Sequence, residues 1–183
     1  MVKLLFVLMN EYRLWALPQA LAALERRYPG AVEGRVYSVR EINADAGLER
    51  ALLADGAAAD MAFLASHGSI QNLYCFSRLW EALEGRPVYF TSTMGDELAE
   101  LLPRLGLEPA LYAALDSYYQ AGSPADLEGL VLCALNGRFA GDYPLSPPSP
   151  PRGQGVYTLE GFLPPEREAG YRARKIGRAS CRE

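Results

Sequence analysis

A single histidine, His67, serves the whole 183-residue chain. Three cysteines, Cys75, Cys133 and Cys181, share no C-x-x-C or Cys/His spacing. That excludes a zinc-binding cluster and offers no disulfide framework. No apolar stretch approaches the ~20 residues of a membrane helix. Residues 1–9 are apolar but lack the small-residue cleavage site of a signal peptide, so a first strand and a cytoplasmic location are expected. The net charge of −4 and pI near 5.2 argue against a nucleic-acid grip, which needs a clustered basic face. Neither G-x-G-x-x-G nor G-x-x-x-x-G-K-[ST] occurs, and no G-x-S-x-G elbow. Dinucleotide, P-loop nucleotide and hydrolase-elbow chemistry therefore have no motif here.

What the chain does contain is organised around Asp60–Ser69, DMAFLASHGS. A short apolar run bounded by a charge and by His67-Gly68-Ser69 suits a strand buried on both faces of a parallel sheet. The flanking pattern repeats strand then helix: strands over 2–9, 35–42, 61–65 and 88–92, with helices to about Arg27, over 47–53, 70–83 and 96–105. Such alternation with short links predicts an α/β fold, a four-stranded parallel doubly wound sheet of flavodoxin or Rossmann type. The expected strand order is 2-1-3-4, which puts the topological switch point between the first and third strands.

After residue 107 the alternation stops. Leu111, Tyr112, Leu115 and Tyr119 mark a helix over 109–120. Ser123-Pro124-Ala125-Asp126 then reads as a helix start, with Ser123 as N-cap, Pro124 in the first position and Asp126 in the first turn. Residues 141–165, GDYPLSPPSPPRGQGVYTLEGFLPP, are too rich in proline for a core element and read as a linker or strap. The expected organisation is an α/β domain over 1–107, a helical extension over 108–140, the strap over 141–165, and 166–174 unassigned. The last nine residues, KIGRASCRE, resemble the translation of a sequencing-adapter oligonucleotide. They carry a net +2, which leaves −6 on the remainder.

Strand, polar loop, helix is where an open α/β sheet holds ligands. Asn10 and Glu11 after the first strand would face Ser66, His67, Gly68 and Ser69 after the third, with Thr93 in the loop after the fourth. His67 reads either as an acid–base or ligand-binding group or as a helix-capping and packing residue. Ser66, Ser69, Thr91, Ser92 and Thr93 read as anion-binding hydroxyls or as ordinary N-caps. Glu11 and Asp96 read as first-turn helix charges, and Tyr112, Tyr118 and Tyr119 as a packing surface.

The combination Tyr118-Tyr119-Gln120-Ala121-Gly122-Ser123-Pro124-Ala125-Asp126-Leu127, a leucine-rich helix, and then PPSPPRGQGVY resembles the N-terminal region of the cobaltochelatase large subunit (CobN) and of the porphyrin-binding large subunit of magnesium chelatase. Gly122-Ser123 stands where those proteins tend to have a glycine pair, Asp126 where they have asparagine, and Gly155-Val156-Tyr157 where they have Gly-Ile-Tyr. Thr158-Leu159 departs from their usual His-Pro.

The resemblance implies a fragment of a far longer tetrapyrrole-binding subunit, inactive alone. In that family the complex is an ATP-dependent ligase that inserts cobalt or magnesium into a tetrapyrrole, for cobalamin- or chlorophyll-type biosynthesis. The implied partners are AAA+ subunits that hydrolyse ATP, the tetrapyrrole, and the remainder of the chain. Metal-insertion residues would lie downstream, so no catalytic or metal-ligating residue is carried over. Two other readings stand beside it: a flavodoxin-like small-molecule binding or sensor module with its crevice at His67, and a glycosyltransferase-like enzyme, which the missing D-x-D pair disfavours.

Overall fold

The computed structural model describes residues 1–9, 11–150, 156–158 and 161–163, with Glu11, 156–158 and 161–163 described by backbone alone. Four strands, β1 (Val2–Leu8), β2 (Val32–Ser38), β3 (Met61–Ser66) and β4 (Val88–Ser92), form one all-parallel sheet in the order β2-β1-β3-β4. This is the α/β architecture and the strand order that the sequence predicts. Every residue of β3 is buried, as its unbroken apolar run requires of a central strand covered on both faces.

The helices are α1 (Glu11–Arg27), α2 (Val39–Ala44), α3 (Ala46–Ala58), α4 (Phe76–Ala82), α5 (Gly95–Leu101), α6 (Pro109–Ala121) and α7 (Pro124–Arg138). One face of the sheet, with Leu4, Phe6, Leu8, Met61, Phe63 and Tyr89, packs against α1, α6 and α7. The other, with Leu5, Val7, Ala62, Leu64, Val88 and Phe90, packs against α2 to α5. Alternate residues along each strand thus serve alternate cores. The two helices after residue 107 complete a layer over the sheet, and residues 1–148 make one compact unit.

Several boundaries differ from the periodicity. The strand expected over 35–42 is Val32–Ser38, and the chain turns helical at Val39. Gly34 disguises the strand: a Cβ there would sit 2.5 Å from Leu21 Cδ1, so the missing side chain lets α1 lie close to β2. The helix expected over 47–53 runs from Ala46 to Ala58. Gly56 is buried inside it, and a Cβ there would meet Leu79 Cδ1 of α4 at 3.0 Å.

The helix expected over 70–83 is broken into a 3-10 turn, Ile70–Asn72, and α4. The cause lies outside the segment. Asn43 donates to the Asn72 carbonyl (2.6 Å) and accepts from the Tyr74 N–H (3.2 Å), taking backbone groups that a continuous helix would use itself. The helix expected over 96–105 stops at Leu101, and Pro103 sits in the 3-10 turn Leu102–Arg104 that follows. Pro18 is exposed and stays within an unbroken α1.

The start of α7 is as read from the sequence, and tighter. Ser123 Oγ accepts from the Asp126 N–H (3.2 Å), while the Asp126 carboxylate accepts from the Ser123 N–H (3.0 Å), a reciprocal capping box. Asp126 is only 4% exposed. Replacing Asp126 with Ala should lower stability by about 1–2 kcal/mol. In urea, this should appear as a lower midpoint with an unchanged m-value; an unaltered midpoint would deny the box a role.

The proline-rich stretch is tied down where it begins. Asn136 donates to the Tyr143 carbonyl and accepts its N–H, both at 2.8 Å, and Tyr118 donates to the Ser146 carbonyl (2.5 Å). Further on, β5 (Val156–Thr158) and β6 (Gly161–Leu163) pair antiparallel.

Candidate functional site

The carboxyl ends of β1, β3 and β4 lie side by side, and Met9 N–H donates to the Ala65 carbonyl (3.1 Å) where β1 leaves the sheet. Asn10 lies outside the described residues, and Glu11 is placed only as the first residue of α1. Ser66, Gly68, Ser69 and Thr93 come together. Gly68 has φ +93°, a conformation that favours glycine, and this turns the chain sharply out of β3. Ser66 is buried and donates to the Gly68 carbonyl (2.5 Å), with Met9 Sδ at 3.6 Å. Gly68 N–H donates across to Thr93 Oγ1 (2.8 Å). The β3 and β4 loops are therefore stitched to one another.

A residue not singled out in the sequence, Glu97 of α5, anchors the stitch. Its carboxylate accepts from the Ser69 hydroxyl (2.5 Å) and the Ile70 N–H (3.0 Å), and Ser92 Oγ lies 3.3 Å away. Ser69 Oγ also accepts from the Gln71 N–H (3.1 Å), and Ser92 Oγ from the Met94 N–H (3.0 Å). The only sequence signal was generic, an acid in the first turn of a helix beside two serine-bearing loops. Glu97→Ala should raise hydrogen exchange at the Ile70 amide at least about tenfold while leaving Val7, in the sheet centre, unchanged. Equal exchange at Ile70 in both proteins would remove Glu97 from this role.

With these groups occupied by one another, His67 stands apart. Its side chain is exposed and makes no hydrogen bond among the described residues. It rides on a loop fixed from both sides. An imidazole so presented can accept a hydrogen bond, bind a metal or relay a proton for whatever approaches that end of the sheet. Among the described residues, no three His, Cys, Asp or Glu side chains gather as metal ligands. No described helix is long and apolar enough to cross a membrane.

Beneath the β4 end lies a cluster of tyrosines. Tyr89, fully buried, donates to Asp116 (2.7 Å) and packs against Tyr112 and Tyr119, with ring centroids at 5.4 and 5.6 Å. Tyr112 donates to the Phe90 carbonyl (2.9 Å) on the outer edge of β4. The Arg13 guanidinium lies 4.1 Å from the Tyr119 ring centroid and donates to the Tyr119 carbonyl (2.8 Å). Burial, reinforced by the Asp116 carboxylate, pushes the Tyr89 phenol well above its ordinary value. Tyr119 is pushed up to about 12 by burial, with Arg13 opposing. This cluster packs helices onto the sheet.

No family model matches the chain, and no curated protein sequence does. Among solved structures, the catalytic subunit of cobaltochelatase from Mycobacterium tuberculosis is similar in fold, with a TM-score of 0.58 at 14% identity. The similarity covers 86% of this chain and 12% of that subunit, so the chain spans about an eighth of the length of the protein it matches.

Proposed function

We propose that this chain is the N-terminal head of the large, tetrapyrrole-binding subunit of a cobaltochelatase or magnesium chelatase type of enzyme, cytoplasmic and inactive alone. The supporting observation is the backbone similarity to a cobaltochelatase catalytic subunit over 86% of the chain. The sequence resemblance at Tyr118–Leu127 and in the proline-rich strap adds to it independently. On this reading the metal ion is substrate, ATP hydrolysis belongs to AAA+ partners, and the insertion residues lie in the rest of the subunit. The head contributes a rigid surface at the carboxyl ends of its strands.

The test begins with uninterrupted sequence from the source DNA, followed by an insertion assay. The whole polypeptide, with its AAA+ partners and ATP, should convert a metal-free tetrapyrrole to its cobalt or magnesium form. The 183-residue chain should not. A reading frame that stops near residue 174 would overturn the proposal.

A second reading, a small-molecule binding or sensor module, rests on the exposed imidazole of His67, which makes no hydrogen bond among the described residues. A molecule that co-purifies with the chain and is released by His67→Ala would favour it.

A further inference from the structure

At the opposite end of the sheet from His67, a cleft of about 400 Å³ opens where β4 begins. Its walls come from α4 and the turn after it, the first residues of β4, the 3-10 turn Leu102–Arg104, and the last residue of α7. Three guanidinium groups line it: Arg86, Arg104 and Arg138. They come from three separate elements, so no single helical pattern brings them together.

The three are not equivalent. Arg86 donates to the carbonyls of Ala59 (2.5 Å) and Ala57, which hold it against the end of α3. It supplies charge but little donor capacity. Arg104 Cζ lies over the Trp80 ring, 5.2 Å from its centroid, a cation–π contact that occupies none of the guanidinium N–H groups. Arg138 closes α7. Neither Arg104 nor Arg138 makes an ion pair among the described residues, although Glu81 and Glu84 line the same cleft. Both are exposed and open to a ligand.

We propose that this cleft binds a small dianion, with Arg104 and Arg138 as its two donors. A guanidinium fork matches the oxygen geometry of phosphate and carboxylate alike. The volume suits a small molecule. The site is independent of the chelatase reading, since it lies away from the carboxyl-end loops and needs no partner subunit.

Trp80 reports on the site. In the full 183-residue chain carrying Trp15→Phe, it becomes the only tryptophan. Titrated at pH 8 with inorganic phosphate and, separately, with succinate, both dianions there, Trp80 fluorescence should change saturably, against potassium chloride at equal ionic strength as control. The preferred dianion identifies the ligand class. Arg138→Gln should weaken binding about 10-fold or more, with the melting temperature unchanged. Arg104→Gln should weaken it similarly and also alter the resting emission, because the cation leaves the Trp80 ring. Glu84→Gln should tighten binding about 2–3-fold by removing a like charge from the rim. A response that only follows ionic strength, or equal affinity in the Arg104→Gln, Arg138→Gln double variant, would overturn the proposal.

Discussion

Replacing Phe63 with Ala should cost about 3–5 kcal/mol, a large part of the stability of a domain this size. Phe63 sits midway along β3, one of the two strands with neighbours on both sides, and is 1% exposed. Its ring stacks on Phe6 of β1, with centroids 4.6 Å apart and planes 16° from parallel, and meets Tyr89 of β4 at 5.8 Å. The three rings form a ladder across the sheet, directly beneath α1, α6 and α7. Removing the middle one opens a cavity between groups held by backbone pairing on either side, so they cannot close over it. Phe63→Leu keeps most of the volume and should cost roughly 1–1.5 kcal/mol. Chemical denaturation of the two variants should separate them by more than about 1.5 kcal/mol. Equal costs would mean that the site collapses and the ladder is not rigid.

That central strand was the most legible part of the sequence, for the same reason that it is sensitive. Burial on both faces demands an unbroken apolar run, and little else in a chain of this composition produces one between a charge and a His-Gly turn. The strand order followed from the alternation of elements and the short links. The elements misplaced at their ends share a different cause. Gly34 and Gly56 stand where a leucine of a neighbouring helix, Leu21 or Leu79, approaches closely. The interruption of residues 70–83 depends on Asn43, far away in sequence. Long-range contacts of this kind leave no periodic trace.

The candidate site divides along the same line. The loop at Ser66–Ser69 and Thr93 was visible from its position after buried strands. Glu97, which holds those loops together, was not, because a first-turn acid on an amphipathic helix looks the same whether it faces solvent or a neighbouring loop. The cleft between Arg86, Arg104 and Arg138 was invisible for an allied reason: its three cations come from three elements.

Raising the pH should unfold the protein cooperatively above about pH 10, and the tyrosines are the cause. Burial raises the phenols of Tyr37, Tyr89, Tyr112, Tyr118 and Tyr119. Tyr37, which donates to Asp55 (2.7 Å), reaches about 12, as does Tyr119. In each the folded-state value lies above the unfolded one. Below pH ~10 both states keep the proton and stability is unaffected; above it the unfolded chain ionises first and is favoured. The loss runs from about pH 10 to 12 for Tyr119, and two pH units on one group amount to about 2–3 kcal/mol. Tyr89 extends the loss to higher pH. The rest of the chain cannot counter this, because its net charge is already −4 at neutral pH and each phenolate adds to the repulsion. Phenolate absorbance of the buried tyrosines and far-ultraviolet circular dichroism should therefore change together in a late, steep step. Tyr119→Phe should shift the midpoint upward, provided that the neutral-pH stability is matched by denaturant. If all the tyrosines titrate in one shallow step near pH 10 while the circular dichroism holds, the ring cluster is open to water and does not form the sealed layer between sheet and helices.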